Sequence, residues 1–233
     1  MVNIDTVYQR VLAIANKEQR GYITPLEFNL LANQAQLDVF EQYFYDRNQT
    51  ARGPGNDTHF SDVDSMLDEK ISVFQSAQVQ FGGSLPGNMY RLGTIEISIS
   101  PGVFVEVKNV SWKEWTNIND SPLLKPTNTR PVYTRQSSFV QIFGADNEQL
   151  HFGDYTVRYT RQPKKVEWGY DVVGEKALHN GTPGKTTHFE HHPSEETGLV
   201  LRILELAGVI LQDPGVIQFA DGEIGKKIQQ EKQ

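Results

Sequence analysis

The sequence contains no cysteine, which excludes thiol catalysis, cysteine-ligated zinc and iron–sulfur chemistry. It is also short of cations. Lys and Arg total 22 against 29 Asp and Glu, a formal net charge of −7, so a globally basic binder of nucleic acid or anionic membrane is excluded, although a local basic patch is not. No apolar run approaches the ~18 residues that would cross a bilayer. Met1-Val2-Asn3-Ile4-Asp5 has no basic region leading into an apolar core, so the reading is a soluble chain without a secretory signal. N-x-S/T sequons, among them those at Asn48, Asn56, Asn109 and Asn180, are then chance occurrences in an Asn- and Thr-rich chain. What is present is 233 residues, enough for one large domain or two small ones without disulfide or metal staples.

Both ends read as helical. Ile4, Val7, Tyr8, Val11, Leu12 and Ala15 form the i, i+3, i+4, i+7 stripe of a helix over 3–19 that buries one face. After Gly21, Thr24-Pro25-Leu26-Glu27 is a capping box with proline at the first helical position, and Ile23 and Phe28 stand where a hydrophobic staple forms. The stripe continues through Leu31, Ala32, Ala35, Val39, Tyr43 and Phe44, which predicts a helical hairpin over 1–47. The breakers in Arg52-Gly53-Pro54-Gly55 predict a loop over 48–60, followed by a helix from Ser61 to about Gln75. At the other end, Ser194 caps a helix in which Glu195 and Glu196 face the positive end of the dipole. Its stripe is Leu199, Val200, Ile203, Leu206, Ala207 and Ile210; Asp213-Pro214 restarts a less regular helix that runs out in a polar tail.

Between the ends the period changes to two. Tyr90-Arg91-Leu92, Ile95 to Ile99 and Val103 to Val107 alternate apolar and polar around Pro101-Gly102, the pattern of a half-buried hairpin. Ser111-Trp112-Lys113-Glu114 is a second capping box before a proline-rich loop over 121–131. Further strands are predicted over 132–135, 138–143 and 155–161. The fold class is therefore α+β: a helical bundle formed by the N- and C-terminal helices with an inserted antiparallel β-sandwich or barrel. The predicted parts are 1–75, the first bundle helices; 76–168, the β domain; 169–192, an extended arm or loop; and 193–233, the last helices and tail.

The search for chemistry returns little: no P-loop, no G-x-G-x-x-G after a strand, no H-E-x-x-H, no G-x-S-x-G and no EF-hand loop. His188, Glu190, His191 and His192, with Glu195 and Glu196 close behind, could ligate a divalent metal. Against that, ligands need fixing by secondary structure, and these precede a helix where His and Glu serve as capping or solvated groups. Asp62, Asp64, Asp68 and Glu69 have the same plain reading, acidic groups in the first turns of a helix. Trp112, Trp115 and Trp168 could form a stacking platform for sugars or bases, or fill the core that a β domain needs. Arg158, Arg161, Lys164 and Lys165 make a basic strand, read as a subunit contact or a protected edge. No catalytic, cofactor-binding or metal residue is assigned, and the chain is read as a non-enzyme.

Met1 to Leu12, Asn16 to Pro25 and Glu27-Phe28-Asn29 resemble virion structural proteins of bacteriophages, among them crAss-like and marine podoviruses. Arg161 to Lys165, Trp168-Gly169-Tyr170, Ser194-Glu195-Glu196, Ile203 to Val209 and the terminal Gln229 to Gln233 resemble segments of the same group, whereas 77–150 is not matched residue by residue. The resemblance implies a head-to-tail connector subunit, an adaptor in a dodecameric ring that docks beneath the portal protein, with tail or further ring proteins below. It further implies double-stranded DNA passing without sequence-specific binding, no membrane partner, no cofactor, and a place in the virion after assembly in the bacterial cytoplasm. Other virion roles, a further tail or minor capsid component, and a carbohydrate-binding β module are the alternatives.

Overall fold

The computed structural model describes residues 1–17, 23–52, 57–76, 79–80, 83–100, 103–127, 129–144, 155–210 and 222–226. The chain is α+β, and its N-terminal part supplies α1 (Ile4–Lys17), α2 (Pro25–Arg52) and α3 (Asp57–Ser72). Then follow β1 (Val79–Gln80), β2 (Met89–Ser100), β3 (Val103–Glu106), β4 (Lys108–Asn109), α4 (Trp112–Asp120), β5 (Val132–Gln136), β6 (Phe139–Phe143) and β7 (Tyr155–Arg161). The last elements are β8 (Tyr170–Val173), β9 (Lys176–His179), a 3-10 turn over Pro193–Glu195, and α5 (Glu196–Ile210). Two units result: Met1–Val73 with Pro163–Gln233, and Phe74–Gln162.

In the helical unit, the Asn3 side chain accepts the Asp5 amide at 2.9 Å and its carbonyl accepts that of Val7 at 3.2 Å, which opens α1. The capping box before α2 forms as its residues require. The Thr24 amide donates to Glu27 at 2.9 Å and the Glu27 amide to the Thr24 hydroxyl at 3.3 Å, and both Ile23 and Phe28 are buried. α2 continues to Arg52, beyond the loop expected from Asn48, because the first breaker in the sequence is Gly53. α3 starts at Asp57, ahead of the expected Ser61. Asp64, Asp68 and Glu69 therefore lie inside α3 rather than in its first turn, and Asp68 pairs with Arg47 of α2 at 3.3 Å.

One apolar core joins α1, α2 and α5: Ile4, Val7 and Val11 meet Phe28, Leu31 and Ala35, with Leu199, Ile203 and Ala207 from the C-terminal helix. Val166, Trp168 and Phe189 enter the same core, so 163–168 belongs with the helices rather than with the β domain in which it was expected. A ladder of carboxamides holds this segment. Asn29, Asn33 and Gln36 stand at i, i+4 and i+7 on α2, a helical spacing that matches alternate residues of an extended chain. Asn33 accepts the Val166 amide at 3.0 Å and donates to its carbonyl at 2.9 Å; Asn29 accepts the Trp168 amide at 2.8 Å; Gln36 donates to the Lys164 carbonyl at 2.9 Å. On the α2 side the extended segment thus satisfies its backbone on side chains, while Glu167 between them exchanges backbone hydrogen bonds with Thr187 at 3.2 and 2.8 Å.

The region expected as an arm, 169–192, is built instead from a hairpin and a return into the core. β8 and β9 pair antiparallel from Tyr170↔His179 to Val173↔Lys176, turning on Gly174 (φ 55°) and Glu175 (φ 64°), the left-handed pair that suits a two-residue hairpin. A Cβ on Gly169 would collide with the Lys185 carbonyl, so only glycine permits the close crossing at the hairpin root. The chain then returns as Val2 and Phe189 exchange backbone hydrogen bonds at 3.0 and 3.2 Å, which ties the N-terminus to the segment before α5.

In the β unit, four strands lie in the order β1-β7-β2-β3 and three in the order β4-β5-β6. Ile95, Tyr155 and Val157 of the first sheet and Tyr133, Val140 and Ile142 of the second share one buried cluster. The β4–β5 pair is parallel, Lys108↔Val132 and Asn109↔Tyr133, against the all-antiparallel expectation. α4 supplies the crossover that a parallel pair needs. That helix carries its capping box as read: the Ser111 amide donates to Glu114 at 2.8 Å and the Glu114 amide to Ser111 Oγ at 3.3 Å. The turns at Pro101-Gly102 and 145–147, and the last helix and tail apart from 222–226, lie outside the described residues.

Candidate functional site

The three histidines of the 188–192 segment go to three different places. His188 Nδ1 accepts the Ile4 amide at 3.3 Å, at the start of α1. His192 accepts the Ser194 amide at 3.3 Å and so caps the 3-10 turn, the part expected of Ser194 itself. His191 is fully buried. Among the described residues, no group of three or more His, Asp and Glu side chains is arranged to hold a metal ion. Alternation along the segment separates His191 from its neighbours on either side, while His192 is taken by the 3-10 turn that it caps and His188 by the start of α1.

What the fold does bring together is a buried polar cluster that the sequence reading did not anticipate. Glu195, expected at a solvated helix start, is 4% exposed and pairs with Lys70 of α3 at 2.8 Å. The Lys70 ammonium lies 5.8 Å from the centre of the Tyr43 ring, and that ring stands 6.0 Å from the His191 imidazole. Burial pushes the His191 pKa down to about 4, opposed by the Glu195 charge, the Gln36 backbone and Glu190, and aided by the N-terminal ammonium. Burial disfavours the charged imidazolium more than the nearby carboxylates favour it. Chemically the cluster is a neutral imidazole beside a buried ion pair, which ties α2, α3 and the turn before α5 together.

The aromatic and basic candidates disperse as well. Trp168 is buried in the helical unit, against Tyr8 at 4.4 Å, with its indole N–H donating to Asp5 at 2.9 Å. Trp115 is buried in the β unit and stacks on Phe143 at 4.0 Å. Only Trp112 is exposed, so the three tryptophans do not form the shared platform considered from sequence. The basic strand is likewise divided between the units: Arg158 lies 3.6 Å from Glu96, Arg161 stands over the Phe74 ring, and Lys164 lies 3.8 Å from Glu190.

Exposed apolar side chains are the remaining feature with functional content. On α2, Leu26 and Leu30 are 65% and 67% exposed, and Leu37 is exposed too. At 100° per residue these three fall within about 40° of one another, opposite the core-facing Phe28, Leu31 and Ala35. α2 is therefore apolar on two faces, which is legible in the sequence once the first face is assigned. In the β unit, Leu123 is 92% exposed and Leu124 58%. The sequence signal was a pair of leucines in a loop of turn formers. The hairpin adds Val172, Val173 and Leu178, all exposed. Apolar side chains grouped on one face are surfaces from which a protein contact can be built. No protein-family model matches the chain, and no curated protein matches it significantly.

Proposed function

We propose that the protein is a virion structural subunit, one member of a head-to-tail adaptor ring that docks under the portal and lines the DNA channel. The observation that carries the reading is the discontinuous helical unit. Both chain ends contribute its core, Phe74–Gln162 is inserted between them, and leucines face outward from α2 and from the β unit. In this reading the two sheets of the inserted unit pack as a small sandwich, and the outward leucines meet neighbouring subunits. Head-to-tail contacts of one chain type close into a ring when the rotation per subunit permits. The net charge of −7 suits a conduit, since a wall that repels phosphate does not retain DNA in transit.

Negative-stain electron microscopy of the purified protein, alone and mixed with portal rings, tests the proposal. Closed rings, or a collar added to one end of the portal, are expected. A monodisperse monomer that never associates with portal would overturn it.

A further inference from the structure

The two outward leucine surfaces differ in charge, and together they point to a specific contact between copies. The loop that displays Leu123 and Leu124 is held in shape. The Leu124 and Lys125 amides both donate to the Ser121 carbonyl at 3.2 Å, Thr127 and Arg130 close a tight turn with bonds of 2.9 and 3.4 Å, and Pro126 and Pro131 are buried. Two apolar side chains are thus presented to solvent on a fixed backbone, and little further ordering is needed for them to bind. The segment 121–131 carries Lys125 and Arg130, both exposed, and no carboxylate.

The outer stripe of α2 is its complement. Leu26, Leu30 and Leu37 are exposed along about three turns, and Glu41 continues the same line with Glu27 beside it. Residues 25–46 contain four carboxylates, Glu27, Asp38, Glu41 and Asp46, and no Lys or Arg. Asp38 is already matched by Arg202 at 3.0 Å and Glu27 holds the Thr24 cap, which leaves Glu41 as the carboxylate at the stripe that a neighbour's cation can meet. An apolar stripe edged with carboxylates and an apolar tip edged with cations are complementary in both respects.

We infer that Leu123 and Leu124 of one copy seat on the Leu26–Leu30–Leu37 stripe of the next copy, with Lys125 directed to Glu41. The two surfaces differ and lie on different units of the chain, so the contact can repeat in one direction from copy to copy, as a ring requires. It rests on the ring-subunit reading for its biological setting, and its chemistry is that of a second copy of this chain.

The absence of cysteine allows a direct test. L123C and L30C proteins are prepared separately, mixed in equal amounts and oxidised mildly, and the products are mapped by mass spectrometry. A mixed 123-to-30 disulfide is expected in excess over the 123-to-123 and 30-to-30 products; only like-with-like products, or none, would overturn the inference. In sedimentation velocity, L123D/L124D is expected to stay monomeric at concentrations where the unmodified chain associates. K125E should weaken association by about 1.5- to 5-fold, the range of an exposed ion pair, and E41K added to it should restore association. Circular dichroism confirms that each variant is folded, which substitution at such exposed positions allows. Unchanged association of L123D/L124D sinks the contact, and rings that persist in that variant sink it while leaving the ring reading intact. Loss of portal capture with self-association unchanged assigns the loop to the portal and equally overturns the inference. A chain that is monomeric throughout and ignores portal removes both readings.

Discussion

His191 shows how burial changes the meaning of a residue that looked like a metal ligand. Its pKa is about 4 in the folded chain against an ordinary 6.5, so the unfolded state binds a proton that the folded state refuses. The group contributes stability above pH 6.5, and that contribution is lost as pH falls toward 4. The gap corresponds to about 3 kcal/mol when fully developed. Urea unfolding of the helical unit is therefore expected to show a steep loss of stability between pH 6.5 and 4.5. His191→Gln, which keeps a polar side chain but cannot titrate, should be less stable at pH 7 and should flatten that slope. An unchanged slope in the variant would show that other groups carry the acid sensitivity. Glu195 beside it is buried as well, and the fold places the Lys70 ammonium 2.8 Å from its carboxylate, an opposite charge set where solvent is excluded.

α2 performs three tasks along one helix, and each is assigned to its own set of positions. Phe28, Leu31, Ala32 and Ala35 face the core, Leu26, Leu30 and Leu37 face outward, and Asn29, Asn33 and Gln36 hold the extended segment 164–168. The carboxamides are legible in the sequence only as helix-compatible polar residues, since nothing local says that a chain segment 133 residues away will present its backbone to them. Asn33 exchanges two hydrogen bonds with Val166, so Asn33→Leu leaves an amide and a carbonyl near the core without partners. The expected cost is about 2–3 kcal/mol. Hydrogen exchange should show faster exchange at the Val166 amide in the variant, with the amides of β2 and β7 unaffected. The hairpin β8–β9 was missed for a related reason: Gly174-Glu175 is a weak turn signal beside the usual Asn-Gly, and Glu175 adopts φ 64° because the strand pairing on either side imposes it.

The whole chain folds as two units, and its tryptophans report on them separately: Trp168 lies in one, Trp112 and Trp115 in the other. The W112F/W115F variant follows the helical unit by fluorescence, and W168F follows the β unit. Acidification from pH 7 to pH 4.5 is expected to move the urea midpoint of the first far more than that of the second, because His191, Lys70 and Glu195 all belong to the helical unit. Coincident midpoints at both pH values would mean that the units unfold as one cooperative block. From sequence alone, the α+β class, the capping boxes at Thr24 and Ser111, the buried stripes of α1, α2 and α5 and the period-two middle were all readable. Each depends on residues within a turn or two of one another, where propensity, capping and periodicity act directly. Tertiary structure alone decided that Val166, Trp168 and Phe189 belong to the helical core, that β4 pairs parallel to β5, that Lys70 meets Glu195, and that the histidines separate. Those outcomes depend on how segments more than a hundred residues apart, or separated by an intervening helix, come into register, and burial then fixes which charges are neutralised and which leucines remain in water.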